Sequence, residues 1–332
     1  MGAAFSSTWT QFFPPKPSFT EANIPDLSGH VYLVTGANSG LGKELSRVLY
    51  SKNAKVYITA RSEEKGNKAI EEIKSAAQGS TGDLIFLPLD LNDLASVKAT
   101  AEKFLAAETK LHVLFNNAGI MGPEGVTERT AQGYEKHFGV NCLGPFLLTK
   151  LLTPLLVSTA KDEATPPNTV RVVFMTSSAA EMFADKNVGI DISNLDFHIE
   201  KPNSYRYGVS KAGDWAYAVE FSKRYKSDGL ISVSLNPGNV RTGLFREQTR
   251  LYHFFTSPFM YPIINGVYTQ LFAGLSPDVT VDKAGSYVIP FGRLHYFRKD
   301  LEDGAAKSEA EGGNGTTQKF WDWSEDQVKQ YL

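Results

Sequence analysis

The sequence predicts an α/β fold, a doubly wound parallel sheet between two layers of helices in a single domain. Two observations predict it. Short β-rich runs alternate with helical stretches through most of the 332 residues, and repeated β-α units imply parallel pairing with right-handed crossovers. The runs are also mostly continuous in apolar residues, as strands covered on both faces are, and do not alternate as half-exposed strands do.

In chain order the runs are Val31–Thr35, Val56–Ala60, Leu84–Leu89, Val113–Phe115, Val170–Met175 and Ile231–Leu235, with Val288–Pro290 as an added edge strand. Helical patterns lie between them near 41–52, 63–77, 93–109, 130–157 and 205–228. Residues 1–28, with Pro14, Pro15, Pro17 and Pro25, read as an extended arm over the domain. Residues 29–300 form the main domain, and 301–332 a flexible loop (302–317, rich in Gly, Ala, Glu and Thr) followed by a short helix opened by Phe320-Trp321-Asp322-Trp323. The aromatic segment within 243–278 is either a core-packed helix or a lid over an apolar substrate.

Composition removes several classes of function. The 34 basic and 36 acidic residues leave a formal charge of −2, which does not favour a nucleic-acid surface. Cys142 is the single cysteine, so no intramolecular disulfide forms; this fits a reducing compartment, and a cytoplasmic location is expected. No Cys/His spacing suggests a metal, and His198 and His253 are expected at the surface. A membrane-spanning helix is not expected, nor a secretory signal. Met1-Gly2-Ala3-Ala4-Phe5-Ser6 fits the loose pattern for acylation at Gly2, although one acyl chain anchors only marginally.

The chemistry is written at the strand ends. The first run enters Thr35-Gly36-Ala37-Asn38-Ser39-Gly40-Leu41-Gly42 and then a helix. Gly36 permits a tight turn, Gly40 and Gly42 allow close approach of backbone, and the helix N-terminus offers N–H groups to a pyrophosphate. The spacing Gly-x-x-x-Gly-x-Gly departs from the common Gly-x-Gly-x-x-Gly fingerprint. After the second run stands Ala60 where NAD sites usually carry Asp or Glu, followed by Arg61 and, a turn on, Lys65. An arginine there can grip a 2′-phosphate, so NADP is expected over NAD. Asp90, before Leu91, can accept from an adenine amino group; alternatively Asp90 or Asn92 caps the next helix. Asn116-Asn117-Ala118-Gly119 can bond neighbouring turns beneath the cofactor.

Tyr207 and Lys211, one helical turn apart in Tyr-Gly-Val-Ser-Lys, form a proton-transfer pair. An ammonium beside a phenol favours the phenolate and lowers its pKa. Thr176, Ser177 and Ser178 close the fifth run, where a hydroxyl can donate to a substrate oxygen as charge develops. No group is arranged for metal catalysis.

Taken in order, Thr35–Gly42, Asp90, Asn116–Gly119, Asn141, the serine after the fifth strand, Tyr207/Lys211 and Asn236-Pro237-Gly238 resemble the classical short-chain dehydrogenase/reductase family over about residues 30–295. Thr59-Ala60-Arg61 and the long Ser-to-Tyr gap look like its retinol-dehydrogenase and WW-domain-oxidoreductase branch, without a WW module. The resemblance implies a Rossmann-type sheet in the order 3-2-1-4-5-6-7. It selects Ser177, with Ser178 as runner-up, and makes Tyr207 the proton donor. It has Lys211 hold the nicotinamide ribose, Asn141 order a water near Lys211, Val240 backbone meet the carboxamide after Pro237-Gly238, and Thr242 add a hydroxyl. It also implies a possible homodimer through the 130–157 and 205–228 helices. The expected activity is NADP(H)-dependent interconversion of an apolar or aromatic alcohol and its ketone or aldehyde, as in a secondary-metabolite (polyketide-like) reductase or a retinoid or lipid alcohol dehydrogenase. The alternatives are a dinucleotide-sensing regulator without catalysis and an epimerase or dehydratase. The latter generally carry a Gly-x-x-Gly-x-x-Gly turn, which this chain lacks.

Overall fold

The computed structural model describes residues 9–122, 128–243 and 260–332. Eight strands make one sheet in the order β3-β2-β1-β4-β5-β6-β7-β8. They are β1 Val31–Val34, β2 Lys55–Ala60, β3 Asp83–Pro88, β4 Val113–Asn116, β5 Arg171–Met175, β6 Ile231–Leu235, β7 Tyr287–Ile289 and β8 Arg293–His295. β1 to β7 run parallel, in the order the resemblance implied, and β8 turns back antiparallel to β7. Every residue of β1, β4, β5 and β6 is buried, which is why those runs lack alternation. β8 escaped the sequence reading because Arg-Leu-His carries no apolar run.

The helices are α1 Gly40–Ser51, α2 Glu63–Ala76, α3 Leu94–Ala107, α4 Gly144–Lys161, α5 Ser178–Phe183, α6 Asn203–Tyr225, α7 Ile263–Leu275, α8 Lys299–Asp303 and α9 Thr316–Val328. They bury two cores on opposite faces of the sheet. One joins α3, α4, α6 and α9; the other joins α1 and α7 with Phe19, Ile24 and Leu27 of the arm.

Four expectations need correction or sharpening. The 130–157 helix is shorter at its start: Phe138–Leu143 is a π-helical turn that leads into α4. From Phe138 to Lys161 it is long and apolar enough to cross a membrane by composition, with mean hydropathy 1.5, but 72% of its most apolar window is buried within the fold. That is the signature of a core helix. The arm is not simply extended, because residues 9–12 are helical and Thr20 caps a turn at Glu21–Asn23. Within 243–278, residues 244–259 (with His253) lie outside the described residues, whereas α7 packs into the core. A side chain at Gly274 would come within 2.3 Å of the Phe115 ring.

The 302–317 stretch is built, not plain loop. It holds the end of α8, a turn at Glu309–Glu311 closed by a capping box from Ser308, and buried Thr316 and Thr317. Gly312 and Gly315 take left-handed φ values of 84° and 64° to fold it back, and the Thr317 hydroxyl donates to Glu220 at 2.6 Å. The stretch thereby seats α9 against α4 and α6. Trp321 meets the Phe146 and Phe221 rings at 4.9 and 4.6 Å, Phe320 stacks on Tyr217 at 5.0 Å, and Tyr217 Oη lies 2.7 Å from Ser324 Oγ. Most of α6 is buried as a result. The helix pair that the resemblance offered to a partner subunit is packed against the chain's own C-terminus.

Trp321→Ala should therefore cost about 3–5 kcal/mol, the usual penalty for emptying a large aromatic site. Urea unfolding followed by circular dichroism measures it; a loss within 1 kcal/mol, roughly the range of a surface change, would show that α9 is not part of the core.

Candidate active site

All seven parallel strands point their carboxyl ends toward one rim, where open α/β sheets bind ligands. A cleft of 1430 Å³ opens there, beyond the roughly 300–1,000 Å³ of an ordinary small-molecule site. Its lining includes Gly36, Asn38, Ser39, Gly40, Leu41, Arg61, Lys65, Asp90, Leu91, Asn117, Ala118, Gly119, Ser177, Tyr207, Lys211, Pro237, Gly238, Val240 and Thr242. Of the residues expected to line it, Gly42 and Asn141 stand behind the surface.

The glycine turn is built for close approach. Gly36 has φ +65°, and a Cβ there would lie 3.0 Å from Ala118 Cβ; a Cβ at Gly42 would lie 2.6 Å from Asn117 Nδ2 and 2.7 Å from the Gly36 carbonyl. Gly40 has φ +60° with nothing within 4 Å of its missing side chain, so the backbone is bare where α1 begins. Ser39, at the N-cap, makes no side-chain capping bond. The first-turn N–H groups of α1 are thus left for an anion. Asn117 braces this floor: its Nδ2 donates to the Thr35 carbonyl at 2.7 Å and its Oδ1 accepts from Gln270 at 2.9 Å. Ala118 N donates to Thr35 Oγ1 at 2.9 Å. Bare backbone, an uncapped helix start and Arg61 with Lys65 at the next strand end suit the phosphates of a dinucleotide. Asp90 accepts from Asn92 N at 3.0 Å and does not cap α3; Asp93 does, accepting from Ala95 N.

The reactive end gathers Ser177, Tyr207 and Lys211. Ser177 follows β5 and is the N-cap of α5; its oxygen accepts from Ala179 N at 3.2 Å, and its hydroxyl acts on Tyr207 to favour the phenolate. Ser178, the runner-up, is the first residue of α5 and also lines the cleft. Lys211 Nζ donates to the Met175 carbonyl and to Asp214 Oδ2, each at 2.8 Å. One of its three N–H donors is left for a ligand hydroxyl. Thr176 Oγ1 donates to the Lys211 carbonyl at 2.6 Å and ties α6 to β5.

Burial decides the electrostatics. Lys211 and Ser177 pull the Tyr207 pKa down, as expected, but desolvation is larger and Asp214 opposes them, so the phenol ends above its ordinary value. The ammonium acts in the expected direction, and burial outweighs it. Burial pushes Asp214 up from 3.8 to about 7 although Lys211 lowers it. Lys211 is raised: Asp214 and Tyr207 favour its charge over the burial that opposes it.

Asn141 sits in the π-helical turn and spends its amide on scaffolding. Its Oδ1 accepts from Ile120 N at 2.8 Å, and its Nδ2 donates to the Ile120 carbonyl at 3.1 Å and to Ser210 Oγ at 3.0 Å. A Cβ at Gly119 would lie 3.1 Å from Lys211 Nζ and 3.4 Å from Asn141 Oδ1, so both converge on Gly119. Asn236 Oδ1 accepts from Gly238 N at 3.0 Å and shapes the Pro237-Gly238 turn. Val240 pairs as a bridge with Tyr261. His198 is exposed and pairs with Asp196.

A family model described as short chain dehydrogenase matches residues 30–188. The chain is 48% identical to the short-chain dehydrogenase/reductase bet4 of Neocamarosporium betae, over 98% of this chain and 94% of that protein. It is also 48% identical to a short-chain dehydrogenase/reductase of Phomopsis amygdali, over 99% and 98%. The chain is a short-chain dehydrogenase/reductase. Among solved structures, an uncharacterised protein of Mycobacterium paratuberculosis superposes with a TM-score of 0.66 at 26% identity, covering 94% of this chain and 97% of that one. As a member of this family the enzyme is an oxidoreductase that works with a nicotinamide dinucleotide on small molecules.

Two features of this short-chain dehydrogenase/reductase went unread in its sequence. Asp214 stands three residues after Lys211, a spacing that brings side chains together on a helix, and it was passed over. Gln11, Phe12 and Phe13 reach the site from the arm, which no local pattern announces.

Asp214→Asn keeps an acceptor for Lys211 and removes the charge that raises Tyr207. With Tyr207 as the proton donor of a reduction, the rate would fall as pH rises through its pKa; in the variant that alkaline limb should move to lower pH. Stability carries a second sign. A carboxyl whose folded pKa lies above its unfolded one stabilises below the unfolded value and loses that contribution as pH climbs through about 7. The variant should flatten the stability profile between 3.8 and about 7. An alkaline limb that stays put or moves up in kcat–pH profiles would refute the coupling.

Proposed function

We propose that this short-chain dehydrogenase/reductase is NADP(H)-dependent and interconverts an apolar or aromatic alcohol with its ketone or aldehyde, in the manner of a secondary-metabolite reductase. The observation that carries the reading is the meeting of Ser177, Tyr207 and Lys211 in a cleft that Phe12, Phe13, Met121, Met182, Phe183 and Met260 also line. Flexible methionines beside rigid rings suit an apolar ligand of irregular shape.

NADPH bound along the glycine turn supplies the hydride. Arg61 and Lys65 would hold the 2′-phosphate, since Ala60 at the end of β2 offers no carboxylate to a ribose hydroxyl. In reduction, the Tyr207 O–H bond breaks as its proton passes to the carbonyl oxygen. The Ser177 O–H, which faces Tyr207, can turn to donate to that oxygen, because the bond from Ala179 N uses only a lone pair. Lys211 stabilises the phenolate left behind. A regulator without catalysis would have no use for this convergence of hydroxyls and ammonium.

Two measurements test the reading. Consumption of NADPH and NADH against a panel of ketones and aldehydes should show preference for NADPH, and Arg61→Ala should raise the KM for NADPH by about 10–100-fold, as loss of a charge-assisted contact does, with the KM for NADH unchanged. Preference for NADH defeats the assignment of Arg61. Tyr207→Phe should leave cofactor affinity intact and lower kcat by about 10²–10⁴-fold or more, the share usual for a positioned acid; retained turnover would remove Tyr207 from its role.

A further inference from the structure

The arm enters the active site and is bolted there by polar contacts on both sides of the cleft. Gln11 is 5% exposed. Its Nε2 donates to Glu181 Oε1 at 2.8 Å on α5, and its Oε1 accepts from Asn236 Nδ2 at 2.9 Å at the end of β6. Tyr287 of β7 closes the cluster, its hydroxyl 2.7 Å from Glu181 Oε1 and 3.3 Å from Gln11 Oε1. Arg293 of β8 donates to Thr10 Oγ1 at 2.6 Å and to the Thr10 carbonyl at 2.8 Å, and Tyr261 Oη donates to the Phe12 carbonyl at 3.2 Å. Each of these contacts is more than 100 residues from the arm in sequence. The cluster also reaches the chemistry: Glu181 lies on the helix that Ser177 caps, and Asn236 shapes the turn before Gly238. Glu181 is a partly buried carboxyl that takes donors from both Gln11 and Tyr287, so removing one of them has a cost.

What the bolts hold is apolar. Phe12 and Phe13 line the cleft together with Met182, Phe183 and Met260. Trp9 packs on Phe13 with ring centroids 4.5 Å apart and planes tilted by 39°. Met182 is 60% exposed, a large thioether at the rim.

We propose that residues 9–13 are a fixed wall of the substrate cleft, in which Phe12 and Phe13 select ring-bearing apolar carbonyl compounds and Gln11 is the positioning residue that locks the wall to α5 and to the β6 turn. The proposal rests on the carbonyl-reductase reading for its substrate, and on the arm's contacts alone for the wall.

The test uses the full chain with Phe12→Ala/Phe13→Ala and, separately, Gln11→Leu. Each is assayed with NADPH against a bicyclic aromatic ketone, α-tetralone, and a small aliphatic one, 3-pentanone, alongside NADPH affinity by fluorescence. Binding of the neutral apolar dye N-phenyl-1-naphthylamine is measured in parallel, since it needs no turnover. The double variant should raise the KM for α-tetralone by about 10–100-fold, the value of one to two aromatic contacts. Its kcat/KM for 3-pentanone should stay within about threefold, a margin under 1.4 kcal/mol, with NADPH affinity unchanged. Dye affinity should fall in parallel. Gln11→Leu should reproduce the KM rise with little change in kcat; a structural role alone would lower stability and both substrates together. Equal losses for both ketones, or unchanged KM and dye binding in a folded variant, overturn the proposal. If the wild type reduces neither ketone, the carbonyl-reductase reading fails for these probes, and dye binding alone decides the wall.

Discussion

The site depends on one buried ammonium. Lys211 is held by a carbonyl of β5 and a carboxylate one turn along its own helix, and it is the cation closest to the phenol it must serve. An ion so buried is tolerated only where it is paired and hydrogen-bonded. Asp214 supplies that pairing and at the same time weakens the field that Lys211 exerts on Tyr207. The result is a phenol whose pKa stands above its ordinary value despite the ammonium beside it. The same arrangement explains why α6 is so deeply buried: solvent at this face would hydrate Lys211 and screen its effect. α9, with Phe320 and Trp321 fully packed against α6 and α4, excludes it.

Around that ion, the sheet does the placing. The turns after β1 to β4 line one part of the cleft, and the residues after β5 and β6, Ser177 and Asn236 among them, line another. Register carries this precision, because parallel pairing sets Asn116 beside Phe174 and Met175 beside Leu235, so the turns that follow β4, β5 and β6 leave the sheet side by side. Asn141 serves the same end from below, fixing Ile120 through two hydrogen bonds and tying it to α6 through a third to Ser210 Oγ.

Seven strands, their order and the Ser177, Tyr207 and Lys211 constellation were legible in the sequence because each leaves a local mark: an apolar run, a glycine at a forced turn, a phenol and an amine one helical turn apart. What was not legible has no local mark. Gln11 is an ordinary polar residue in a proline-rich arm, and only the fold brings it to Glu181 and Asn236. The 302–317 stretch has the composition of a loop, yet its glycines take left-handed values that let it fold back onto α6. The net pKa of Tyr207 depends on burial against two opposing charges, a balance that spacing cannot report. Phe138–Leu143 reads as continuous α-helix because a π turn keeps the apolar pattern and shifts only the hydrogen-bond ladder.

The central claim is that Lys211 acts on the phenol of Tyr207. The direct measurement is a pH titration of ring-¹³C-labelled tyrosine by NMR, with the Tyr207 signal assigned from its loss in Tyr207→Phe, compared between the wild-type enzyme and Lys211→Met. The account requires Tyr207 to ionise at distinctly higher pH once the ammonium is gone, with the other tyrosines unmoved. Identical titration curves in the two proteins would contradict it.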